Sequence, residues 1–114
     1  MRSNRERLMD IQDALVKIEK YSRRGRQVFD EDELIQIWIV HHLQIIGEAS
    51  SAMPEGFINQ YSTVPWIDIA DFRNVLVHEY FRVDVDIVWA IVEGELPELK
   101  NKVEFILQTL EEDS

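Results

Sequence analysis

An all-α fold, an antiparallel bundle of four to five helices, is what this sequence predicts, and three observations predict it. Apolar residues make up 46% of the 114, and only four Gly and three Pro interrupt them, a balance that favours a helical globule over a disordered or β-rich chain. Apolar side chains recur at three- and four-residue steps through several long stretches. Capping and breaking residues fall between those stretches. The length suits one domain, residues 1–114, with a single core.

The first helix is expected over Ser3–Tyr21, where Leu8, Ile11, Leu15 and Ile18 form one stripe with charged residues between them. Gly25, inside Ser22-Arg-Arg-Gly-Arg26, ends it, because glycine takes the left-handed conformation cheaply. Asp30 with Glu33 reads as a capping box for a second helix, Leu34–Ala52. That helix is apolar on most faces (Leu34, Ile35, Ile37, Trp38, Ile39, Val40, Leu43, Ile45, Ile46), which suits a place at once in the core and in a subunit interface. Met53–Val64 is a connector with one helical turn around Phe57–Tyr61. A third helix is expected from Pro65 to Tyr80, with Trp66, Ile69, Ala70, Phe72, Leu76 and Val77 as its buried stripe. Asp84 caps a fourth, Val85–Val92, and Leu96-Pro97 opens a fifth after Gly94. Trp38, Trp66 and Trp89 are assigned to the core.

Charge and composition exclude several functions. Without cysteine there is no disulfide framework, thiolate nucleophile or Cys-based zinc site. No apolar run follows Met1-Arg-Ser-Asn-Arg-Glu-Arg7 as a signal peptide would, and none is long enough to span a bilayer, so a soluble cytoplasmic protein is expected. Twelve basic against 22 acidic residues give a net charge of −10, which repels polyanions at long range. Any RNA contact must then come from local basic groups: Arg73, Arg82, or the cluster Arg23, Arg24 and Arg26. The same acidity suits a basic protein partner, or simply a solvated surface.

The chemistry is concentrated in Arg73-Asn74-Val75-Leu76-Val77-His78-Glu79-Tyr80. On a helix Asn74 and His78 are neighbours, four residues apart. Arg73 and His78 lie about 140° apart around the axis and roughly 7.5 Å along it, so they flank a group between them rather than touch. Tyr80 meets His78 only where the helix ends or bends, near Phe81. On residue type alone, His78 fits either a hydrogen-bonded core or interface histidine or a catalytic one. Its company argues for the second, because burying Arg and His without partners is costly. His41 and His42, adjacent on a helix, point about 100° apart and do not chelate one metal together.

This segment resembles the R-x4-H-x-Y signature of HepT-type toxins, within the HEPN superfamily of all-helical ribonucleases. Ile45-Ile46-Gly47-Glu48-Ala49, Val64-Pro65-Trp66, Arg73-Asn74, His78-Glu79-Tyr80-Phe81 and Leu96-Pro97-Glu98-Leu99 stand in the order that family shows. Arg82 departs from it, since relatives often carry Gly there.

The resemblance implies a metal-independent endoribonuclease toxin of a type VII-like toxin–antitoxin pair, with no cofactor. RNA is cut by its own 2′-hydroxyl when a base and an acid move protons and a cation stabilises the phosphorane. Imidazole serves either proton role, and guanidinium matches phosphate with paired donors. His78 is then base or acid, Arg73 binds phosphate, and Asn74 orients the imidazole. Arg82 and Glu48 support RNA binding, with Glu48 capping or pairing with an Arg across the bundle, Arg73 among the candidates. One chain supplies one His and one Arg; the family's homodimer supplies two of each in a composite site. The resemblance makes Tyr80 the acceptor of AMP from an MntA-type nucleotidyltransferase antitoxin, an electrostatic and steric off-switch. The alternative reading is a non-catalytic helical partner subunit that binds nucleotide or docks a nucleotidyltransferase.

Overall fold

The computed structural model describes residues 2–75 and 84–112, the side chain of Val75 excepted. Among the described residues every regular element is helical. The all-α bundle expected from the sequence is the architecture observed.

Helix α1 (Asn4–Ser22) opens with a reciprocal cap: the Ser3 hydroxyl accepts the Glu6 N–H, and the Glu6 carboxylate accepts the Ser3 N–H. Its stripe of Leu8, Ile11, Leu15 and Ile18 is buried, as the spacing predicts. Gly25 takes a positive φ of 95° and turns the chain into a short α2 (Arg26–Glu31). Here the structure corrects the capping expectation. Asp30 lies inside α2 and binds Arg26 one turn back, so the next residue free to cap is Asp32, whose carboxylate accepts the N–H groups of Leu34 and Ile35.

Helix α3 (Glu33–Ser51) is the axis of the fold. Ile35, Ile39, Leu43 and Ile46 face the core, while Leu34 (78% exposed) and Ile37 (51%) lie on the outside. Against its inner face α1 runs antiparallel, pinned where the Trp38 indole N–H donates to the Lys17 carbonyl (2.8 Å) and Tyr21 meets Trp38 edge-on. The connector holds the expected helical turn as α4 (Glu55–Gln60), which buries Phe57 against Trp66.

After Asp84, whose side chain caps it, α7 (Val85–Gly94) leads to α8 (Leu96–Glu112). The latter lies antiparallel to α1, with Lys100 bonded to Glu19 at one end and Arg5 to Glu111 at the other. Trp66 is buried; Trp38 and Trp89 are half-buried, Trp89 bonded to Glu93 through its indole N–H.

The predicted helix Pro65–Tyr80 is divided where it can be seen: α5 (Trp66–Ala70) and α6 (Phe72–Val75) meet at Asp71. The Asn74 N–H donates to the Asp71 carbonyl (2.8 Å), a three-residue step that tightens the turn. The rest of that helix, with His78, Tyr80 and Arg82, lies outside the described residues. No described helix is long and apolar enough to cross a membrane.

Candidate active site

The first half of the signature is positioned by a glycine. Gly47, three-quarters of the way along α3, is where α5 and α6 lie against that helix. A Cβ built on Gly47 would stand 2.6 Å from the Arg73 backbone nitrogen and 3.1 Å from both the Ala70 carbonyl oxygen and the Arg73 Cβ. Only hydrogen fits there, and the contact falls where the α5–α6 ladder tightens. Glycine therefore allows backbone to touch backbone and sets the height of Arg73 along α3. The sequence contained the signal, an isolated Gly within an otherwise strong apolar helix, but its role becomes visible only with its partner.

Below the contact, Ile69 and Phe72 anchor the segment in the core; Arg73, expected to be buried, instead reaches solvent beside Asn74, so the cost of burying a charge is no argument for its role. No carboxylate among the described residues pairs with Arg73. In a chain with ten excess negative charges, an exposed guanidinium that pairs with none of the described carboxylates suits a phosphate.

Of the Arg partners open to Glu48, Arg73 is not the one the structure brings near. It follows Gly47 by one residue, which turns it about 100° around α3 and away from Arg73. Its exposed carboxylate lines an open groove between α1 and α3, with Arg2, Arg7, Asp10, His41 and Gln44. The ion pair with Arg73 is absent, so Glu48 does not position that residue through direct contact.

The adjacent histidines divide as their 100° offset predicts. His41 is exposed; His42 is 5% exposed, and its Nδ1–H donates to the Trp38 carbonyl (2.7 Å). Burial lowers the His42 pKa, helped by the neighbouring His41 and Lys17 and opposed by the Trp38 carbonyl and Asp13. At the other side of α5, partial burial raises the Glu95 pKa, with the charge of Asp68 adding to it. That carboxyl lines a small cleft with Pro65, Ile69, Phe72 and Lys102. Among the described residues no three His, Asp or Glu side chains cluster as metal ligands would.

Comparison with known proteins identifies the family. The family described as Ribonuclease HepT-like matches residues 11–106. A protein of Thermococcus cleftensis named "Probable ribonuclease HepT" is 38% identical over 104 residues, covering 90% of this chain and 94% of its own. A protein of Caldanaerobacter subterraneus subsp. tengcongensis named "Putative RNase" is 38% identical over 98 residues, 86% of this chain and 88% of its own. A third, from Methanocaldococcus jannaschii, pairs a gamma-glutamylcyclotransferase with an RNase in its name; it is 29% identical over 93% of this chain but only 48% of its own. No solved structure matches. With the family match spanning α1 to α8 and two relatives aligned over nearly their whole length, the chain belongs to the HepT-like ribonuclease family.

Proposed function

We propose that this protein is a metal-independent endoribonuclease toxin acting in the cytoplasm, with Arg73 and His78 as its catalytic pair. One observation carries the reading: the Arg73 backbone is seated on Gly47 of the central helix while its side chain stands in solvent with no carboxylate partner among the described residues. A stability role would favour a paired Arg. A fixed backbone beneath an unpaired cation suits a phosphate ligand.

In the proposed reaction one imidazole removes the proton from a ribose 2′-hydroxyl. The oxygen attacks the adjacent phosphorus, Arg73 stabilises the charge that gathers on the non-bridging oxygens, and a protonated group returns a proton to the departing 5′-oxygen. The products are a 2′,3′-cyclic phosphate and a free 5′-hydroxyl. Base and acid are the His78 side chains of two subunits, and Asn74 orients the imidazole. Leu34 and Ile37, exposed on α3, are apolar surface for such a homodimer. Arg82 adds charge beside the bound RNA. Adenylylation of Tyr80 by a nucleotidyltransferase antitoxin places phosphate against Arg73 and closes the site.

The net charge of −10 favours one other reading, a non-catalytic subunit that docks a nucleotidyltransferase. Cleavage by protein expressed without any partner, in excess EDTA and beside His78→Ala, separates the two. The ribonuclease reading expects EDTA-resistant cleavage, cyclic phosphate ends, and loss of both cleavage and toxicity in the variant. Unmodified dimer that cuts no RNA would leave the docking reading in its place. Tyr80→Phe should retain cleavage but escape inhibition by the antitoxin with ATP; inhibition that persists would remove Tyr80 from the switch.

A further inference from the structure

Six of the described basic side chains are neutralised by carboxylates: Arg2, Arg5, Lys17, Arg26, Lys100 and Lys102. The end of α1 is different. Lys20, Arg23 and Arg24 stand exposed within five residues, and no carboxylate among the described residues pairs with any of them. The nearby carboxylate of Glu19 is held by Lys100 at 2.9 Å, and Arg23 lies close enough to Lys100 for the two charges to repel. Arg26, which the sequence groups with Arg23 and Arg24, is drawn off to Asp30 and Asp86. The cationic corner is therefore Lys20, Arg23 and Arg24.

The corner is also ordered without being neutralised. Arg24 lies over the Tyr21 ring at 4.9 Å and Lys20 at 5.5 Å, while Tyr21 itself is braced edge-on by Trp38. Arg23 is held by its own helix, its Nε–H donating to the Glu19 carbonyl. An aromatic ring and a carbonyl restrain these cations and leave their charge unspent, so less rotamer entropy is lost when an anion binds. Tyr21 is occupied by these contacts, which makes the corner a phosphate contact rather than a base-stacking one.

We infer that Lys20, Arg23 and Arg24 form a second RNA-contact site that holds the substrate backbone at a distance from Arg73. This rests on the ribonuclease reading and adds to it the means by which an acidic protein retains RNA. Its distance from Arg73 follows from the fold. Lys17 meets Trp38, and Arg73 meets Gly47, nine residues further along α3 or about 14 Å at 1.5 Å per residue. Lys20–Arg24 lie a further turn or two beyond Lys17 in the opposite direction. The separation along the bundle is thus on the order of 20 Å, about six nucleotides at the ~3.4 Å per nucleotide of a stacked strand. RNA shorter than this cannot engage both sites.

The test compares the unaltered chain with Lys20→Gln/Arg23→Gln/Arg24→Gln and with Lys20→Gln/Arg24→Gln, which keeps the Arg23–Glu19 contact. Arg5→Gln, at the far end of α1, controls for net charge. Cleavage is followed on a tetranucleotide and on a 20-nucleotide RNA between 50 and 200 mM salt. For the long RNA the triple variant should raise KM about tenfold at low salt and reduce the slope of log affinity on log salt by about 2, with kcat unchanged. The double variant should show an intermediate change, and the tetranucleotide and Arg5→Gln should show none. Equal losses on short and long RNA, or an unchanged KM and salt slope, would overturn the second site while leaving the ribonuclease intact. Loss of binding to poly-glutamate without loss on long RNA would assign the corner to an acidic protein and overturn it likewise. An unaltered chain that neither binds nor cleaves RNA would remove both readings.

Discussion

Gly47→Ala tests whether the seat of Arg73 matters to function. An ordinary contact begins at 3.4 Å, and the new methyl would stand 2.6 Å from the Arg73 nitrogen, so the α5–α6 segment must withdraw by about 0.8 Å. The obstruction is backbone on both sides, which a side-chain rotation cannot relieve. Overpacking of this kind costs about 1–3 kcal/mol, and alanine's better helix propensity returns about 1 kcal/mol. The net destabilisation is on the order of 1 kcal/mol, a fall of roughly 4 °C in Tm for a domain of this size. Activity should suffer more than stability. A displacement near 1 Å costs up to ~100-fold when it moves a group that must meet a transition state, so kcat/KM should fall by about 10–100-fold. Gly56→Ala is the control, since a Cβ there meets nothing within 4 Å; it should keep full activity and gain up to ~1 kcal/mol. Thermal melts followed by circular dichroism, beside single-turnover cleavage, read both quantities. If Gly47→Ala melted higher than the parent and cleaved within twofold of it, the seating argument would be wrong.

Two stability predictions concern other buried polar groups of α3. His42 has its pKa lowered below the reference of 6.5 by burial. Below pH 6.5 the unfolded chain therefore takes up a proton that the folded chain resists, so the His42 contribution to stability should be constant above that pH and decline as the pH drops beneath it. Urea midpoints across this range should show the slope, and His42→Gln should flatten it; an unchanged slope would place the titration elsewhere. The Ser50 hydroxyl is 1% exposed and has no hydrogen-bond partner among the described residues. Ser50→Ala should then raise the unfolding free energy by about 1 kcal/mol, and a loss of that size would reveal a partner for the hydroxyl.

The sequence by itself determined the class of the fold and most of its helices, because both depend on local periodicity and caps. Leu8, Ile11, Leu15 and Ile18 announce a buried stripe wherever the helix is placed, and Asp84 caps α7 through groups two and three residues away. The signature residues were likewise legible as residue types at a fixed spacing. Contacts between distant segments were not. The Asp30–Glu33 capping pattern misled because Asp30 has a competing partner in Arg26 and Asp32 was left to cap α3. Glu48 looked like a partner for Arg73 until its rotation around α3 was known, and Arg26 looked like part of a basic cluster until Asp86 arrived from 60 residues away. Gly47 is the clearest case: its neighbours in sequence are ordinary helix, and its function lies in the hydrogen it presents to Arg73, 26 residues on. Periodicity and capping act within one turn of helix and so can be read from the chain. Close approach and charge pairing depend on which surfaces packing brings together, and only the tertiary structure decided those.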